Sequence, residues 1–187
     1  MLTDAPPRKG KHPEFQESDR IGTLTLPLQA PLLSLAQAIE VGMMNDKTAE
    51  VRAACENFLQ SLSRFYQVPD CPVRVLTSRP VHIRENWSSE LFGDYDPSTM
   101  VIRVWMRTAV KKEVTSFGTF LSTLVHEYCH HLDFQLFHLP DSWHTRGFYE
   151  RAAVLYHHAR GTPPKKLFWV AASGGRWRID WPRTRRG

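Results

Sequence analysis

"LVHEYCHHLD", residues 124–133, decides how this chain is read. His126, Glu127 and His130 spell H-E-x-x-H. Residues four apart on an α-helix lie on one face, one turn above the other, so two imidazoles can offer nitrogens to one metal. Glu127 is rotated off that line and can reach a water on the metal without ligating it. Zinc brings the pKa of such a water down to roughly 7, and a nearby carboxylate can take its proton as it attacks a carbonyl. The flanking "FLSTLV" is apolar, so the helix is expected to be central, where His, Glu and His together need a partner. The plain alternative is an amphipathic helix whose histidines align by chance.

Catalytic zinc takes three protein ligands and leaves one position open. His144 is the first choice for the third, because it follows the break "LPDSW", where the chain can turn back, and opens the next helix. Glu150, twenty residues after His130, is the runner-up, and both stay open at this point. Asp133 lies one turn beyond His130, but three ligands from one straight helix cannot converge on one ion. It is expected to stand behind the ligands and orient an imidazole. His131 reads as a surface or packing histidine and Cys129 as core. Tyr149, Tyr156, His157 and Arg146 are near enough in sequence to stabilise an oxyanion, and nothing in the sequence ranks them.

The remaining pattern is that of a mixed domain. Helical spacing of apolar residues predicts helices over 31–44, over 47–66 (capped by Asp46), over 115–137 and from about His144 to His158. Alternation predicts a strand over 72–78, another within "PVHIRENW", and a turn followed by a strand over 91–106. The first thirty residues, polar and proline-bearing, read as a flexible lead-in and not a signal peptide. In the 187-residue chain, 42% hydrophobic and 11% aromatic composition fits a globular protein. No run of 18 apolar residues occurs, so no membrane span is expected. The three cysteines, without a C-x-x-C pair, suit a reducing cytoplasm.

Charge is unevenly placed. From Arg160 to Gly187 eight Lys/Arg face one acid, Asp180, so the net +5 of the chain lies entirely in this tail. Trp169, Trp177 and Trp181 are interleaved with the arginines. That pairing suits nucleic acid, with guanidinium on phosphate and indole on base. The rival expectation is a tail whose tryptophans pack back on the domain.

The stretch "TLVHEYCHHLD", followed after a short break by "HTRGF", resembles the SprT-like and related minimal zincin metallopeptidases. In those families an H-E-x-x-H helix precedes a third histidine in an H-x-x-x-F/W context. By that resemblance His126, His130 and His144 are the zinc ligands, Glu127 is the general base, and Phe148 matches the aromatic. "GDYDPSTMVIRV" is similar to the turn and strand ahead of the family's active-site helix, the sheet edge along which a peptide lies extended. The likeness covers roughly residues 72–158. Thr145 stands where a glycine usually follows the third histidine, and the chain has no zinc-ribbon cysteine pairs.

These readings combine into an α+β, zincin-like metallopeptidase domain over 31–160, with a small mixed β-sheet, an active-site helix and flanking helices. It is expected to use Zn2+ and a zinc-bound water activated by Glu127 to hydrolyse peptide bonds in a protein or peptide substrate. Residues 161–187 form the basic tail, with nucleic acid as its candidate partner. The alternative is a non-catalytic, zinc-stabilised nucleic-acid-binding or regulatory module.

Overall fold

A computed structural model describes residues 1–8, 12–84 and 87–186. Its helices are α1 (Pro13–Arg20), α2 (Gln29–Met44), α3 (Thr48–Tyr66), α4 (Phe117–Gln135), α5 (Arg146–Arg160) and α6 (Trp181–Arg186). The strands are β1 (Val73–Ser78), β2 (Val81–Arg84), β3 (Trp87–Glu90), β4 (Gly93–Asp96), β5 (Val101–Arg107), β6 (Trp169–Ala171) and β7 (Trp177–Ile179). The fold is mixed α+β, and among the described residues no helix is long and apolar enough to cross a membrane.

The central sheet has the order β1-β5-β4, with β1 parallel and β4 antiparallel to β5. It is therefore small and mixed. On β5, Ile102, Val104 and Met106 are fully buried, as a period-two strand with one face on a core requires. That face joins a core to which α3 contributes Phe58 and Leu62 and α4 contributes Leu121 and Leu124. Across the outer pair, Asp94 on β4 lies opposite Arg103 on β5, and its carboxylate accepts two guanidinium bonds at 2.7 and 2.6 Å. Strands β2 and β3 form a separate antiparallel ladder, so "PVHIRENW" contributes to two strands, with Glu85 and Asn86 outside the described residues.

Several expectations need correcting. Asp46 does not cap α3: Lys47 holds that position without a side-chain bond, while Asp46 adopts φ 55° and pairs with Arg107. The stretch 91–106 is two strands around a turn, because "GDYD" pairs with β5 despite its turn-like composition. The lead-in is structured in its described part. Helix α1 packs on α5, where Ser18 Oγ lies 3.0 Å from Thr145 Oγ1 and Asp19 pairs with Arg146. Gly147 makes this approach feasible, since a Cβ there would fall 2.3 Å from the Ser18 carbonyl oxygen.

The tail also folds. β6 and β7 pair antiparallel, and residues 1–3 run beside β7: Thr3 N donates to Trp177 O at 2.8 Å and Ile179 N to Met1 O at 3.2 Å. Trp169 Nε1 donates to Glu150 at 2.9 Å, and the Arg146 guanidinium stacks on Trp177. Two of the three tail tryptophans thus pack back on the body, while Trp181 stays 38% exposed.

Candidate metal centre

Helix α4 places the first two histidines. Ser116 caps it, its hydroxyl accepting from Thr119 N at 3.3 Å, and Leu121, Leu124, Val125, Tyr128 and Leu132 bury its apolar face. His126 and His130 then share the face turned to α5. Helix α5 begins at Arg146, two residues later than expected, because Thr145 is its N-cap and accepts from Phe148 N at 3.1 Å. The residue standing where the resemblance leads one to expect glycine is therefore a helix cap. His144 lies just outside the helix, in extended chain, and turns toward α4.

The structure brings His126, His130 and His144 together: one ring nitrogen from each lies within 4.8 Å of the others. His126 Nε2 and His144 Nε2 are 3.1 Å apart. Three nitrogens about 2.0–2.1 Å from one tetrahedral ion stand about 3.3 Å from each other, so this spacing suits a shared cation. Phe148 packs against all three rings, with centroids 4.9, 4.5 and 5.1 Å away, and closes the site from behind.

The far sides of two rings are tied down. Ser142 Oγ gives its hydrogen to Asp133 Oδ2 at 2.7 Å, so it accepts from His130 Nδ1 at 2.6 Å. That fixes the tautomer and leaves His130 Nε2 as a lone pair. Asp133 is fully buried and held in turn by Arg151 at 2.6 Å, whose guanidinium also donates to the carbonyls of Ser18 and Ile21. Asp133 thus reaches the His130 imidazole through Ser142. On the other side Asp4 Oδ2 lies 3.4 Å from His144 Nδ1 and accepts from His144 N at 2.9 Å. Hydrogen bonding from His144 holds the Asp4 carboxyl below its ordinary range.

Burial keeps the helix-borne imidazoles neutral. His126 is pushed down to about 3 and His130 to about 2, first by desolvation and then by neighbouring histidines. Neutral imidazole is the ligating form. Glu127 shifts the other way, up to about 8, by burial and then by the charge of Asp94. Gly93 on β4 lies against it: a Cβ there would be 2.5 Å from Thr123 Cγ2 and 3.0 Å from Glu127 Cγ. The glycine lets the outer strand touch α4 beside the carboxylate.

Glu150 is not part of the cluster; it is engaged by Trp169 on the far side of α5. His131 is buried, its ring nitrogens 2.9 Å from Pro69 O and 3.1 Å from Tyr95 Oη, and Cys129 is core. Of the four oxyanion candidates, Arg146 is committed to Asp19 and His157 contacts Thr162. Tyr149 stacks on His144 and donates to Leu2 O at 3.3 Å, while Tyr156 lines the cavity beside Glu127. Asp4, Ser142 and Arg151 carry no motif in the sequence; only "DSWH", with a serine two residues before His144, holds a local hint.

Two cavities meet at Gly93, His126 and Glu127. One, of about 470 Å³, runs past Tyr95, Phe134 and Asp141; the other, of about 700 Å³, runs past Phe92, Thr119 and Arg185. Together they form a groove crossing the histidine cluster. No family model, curated protein or solved structure matches the chain.

Proposed function

We propose that the protein is a zinc-dependent metallopeptidase of zincin type, with His126, His130 and His144 as ligands and Glu127 as general base. The observation that carries this reading is the convergence of the His126, His130 and His144 imidazoles beside the buried carboxyl of Glu127. A purely structural zinc site fills all four positions with protein ligands, and here the described residues supply three. When bound, zinc supplies Lewis acidity, an acidified water and a positive charge that favours ionised Glu127.

The chain's own residues account for the rest. The Glu127 carboxylate takes the proton of the attacking water and, raised toward neutrality, returns it to the leaving amine. Phe148 excludes water from behind the rings. Strand β4 is one of the two edge strands of the sheet and lines the groove through Gly93 and Tyr95, so an extended peptide can lie along it. Glu127→Gln tests the assignment. We expect zinc retained and cleavage of an unfolded protein reduced about 10²–10⁴-fold; unchanged cleavage would remove Glu127 as the base.

The tail supports a second, lesser reading. Arg176, Arg178, Arg183, Arg185 and Arg186 are all exposed, which favours a polyanion such as nucleic acid. With Trp169 and Trp177 engaged internally, the contact is one of charge more than base stacking. Binding to a DNA duplex should then weaken steeply between low and physiological salt. Buried, unpaired Cys55, Cys71 and Cys129 suit the proposed cytoplasmic setting.

A further inference from the structure

We propose that the N-terminal strand is a working part of the metal centre, with Asp4 as the positioning residue that aims His144. The inference rests on the three-histidine metal reading and adds to it a residue 140 positions from the ligand it holds. His126 and His130 are fixed by a helix. His144 is not: it lies in the loop between Pro140 and the first turn of α5, where Phe148 and Tyr149 touch its ring but no helix or strand holds its backbone. A ligand of that kind needs fastening from outside, and outer partners of metal-bound imidazoles are usually carboxylates or carbonyls.

Asp4 provides the fastening three times over. Its N–H donates to His144 O at 3.0 Å, its Oδ2 accepts from His144 N at 2.9 Å, and the same oxygen faces His144 Nδ1 at 3.4 Å. The first two bonds grip the backbone on both sides of the residue. The third, a charge contact, favours the proton on Nδ1 and leaves Nε2, 3.1 Å from His126 Nε2, as the free lone pair. Asp4 is itself placed by its neighbours. Thr3 exchanges two bonds with Trp177, N to O and Oγ1 from N, each 2.8 Å, and so keeps the strand in register on β7. The path from tail to metal is therefore short: β7, Thr3, Asp4, His144.

Two variants separate positioning from simple structure. Asp4→Asn keeps an oxygen able to accept from His144 N but loses the charge facing the imidazole. Thr3→Pro removes the N–H that bonds Trp177 and disturbs the strand without touching any ligand. In the full chain, zinc affinity measured by chelator competition should fall about 10–100-fold for Asp4→Asn and in the same direction for Thr3→Pro. The visible spectrum of the cobalt-substituted Asp4→Asn protein should change, while the zinc-free melting temperature stays at the wild-type value. Wild-type affinity and an unaltered cobalt spectrum in Asp4→Asn would overturn the proposal, as would a zinc-free melting loss that accounts for the whole affinity change. Should His144→Ala bind zinc as the wild type does, the three-histidine reading itself fails, a result distinguishable from the first two.

Discussion

The two sides of the histidine cluster are built in different ways. His130 is backed from the core: Ser142, then Asp133, then Arg151, the last two 0 and 1% exposed. His144 is backed from the surface by Asp4, on a strand held by Thr3 and Met1 bonds to β7 and by the Tyr149 hydroxyl on Leu2 O. A buried ion pair cannot lose one partner without stranding a charge in low dielectric, whereas an exposed carboxylate is replaced by water at little cost. One side should thus couple metal binding to folding, and the other should tune metal binding alone.

The largest expected effect tests that contrast. Asp133→Ala leaves Arg151 uncompensated and should cost about 3–5 kcal/mol of unfolding free energy in denaturant titrations. Asp4→Ala should cost far less; comparable losses would break the distinction. Next comes Ser142→Ala, which cuts the link between His130 and Asp133 while leaving the ion pair intact. Zinc affinity should drop about 10–100-fold, with stability lowered by only about 1 kcal/mol. A stability loss as large as that of Asp133→Ala would mean that Ser142 belongs to the core network and not to the ligand.

The smallest effect is one of pH and concerns the buried, helix-borne side. Glu127 keeps its proton up to about 8 in the folded chain but releases it near its ordinary 4.5 when unfolded. The folded state binds the extra proton across that window, so this residue makes zinc-free stability fall as pH rises from 4.5 to 8. His126 and His130 act oppositely. Unfolded, they take protons below 6.5; folded, they refuse them until about 3 and 2, so acid below 6.5 destabilises. Melting of the zinc-free protein should decline above pH 6.5, and Glu127→Gln should flatten that decline. An identical slope in both proteins would place the carboxyl in water.

Local periodicity revealed most of the helical frame. Helix α4 lies within two residues of its expected bounds at each end, and α2, α3 and β1 are as close, because each buries a face with its own period. Strand β4 stayed hidden since "GDYD" has turn chemistry; pairing with β5 and the contact of Gly93 with α4 override it. Strand β7 and helix α6 are too short to carry a period, and β7 is flanked by residues 1–3 from the opposite end of the sequence. The clustering of His126, His130 and His144 was legible from spacing and a proline break. Asp4 and Arg151 were not, because they reach the site across 140 and 18 residues through contacts that leave no local pattern. The choice between His144 and Glu150 needed three dimensions, where the α5 cap turns one inward and Trp169 engages the other.

A crystal structure of the zinc-loaded protein, with data collected at the metal's absorption edge, decides whether the three histidines share an ion. We expect one zinc per chain bonded to ring nitrogens of His126, His130 and His144, with a water beside Glu127 in the fourth position. Three rings with no ion between them, or a fourth protein ligand closing the site, would contradict this expectation.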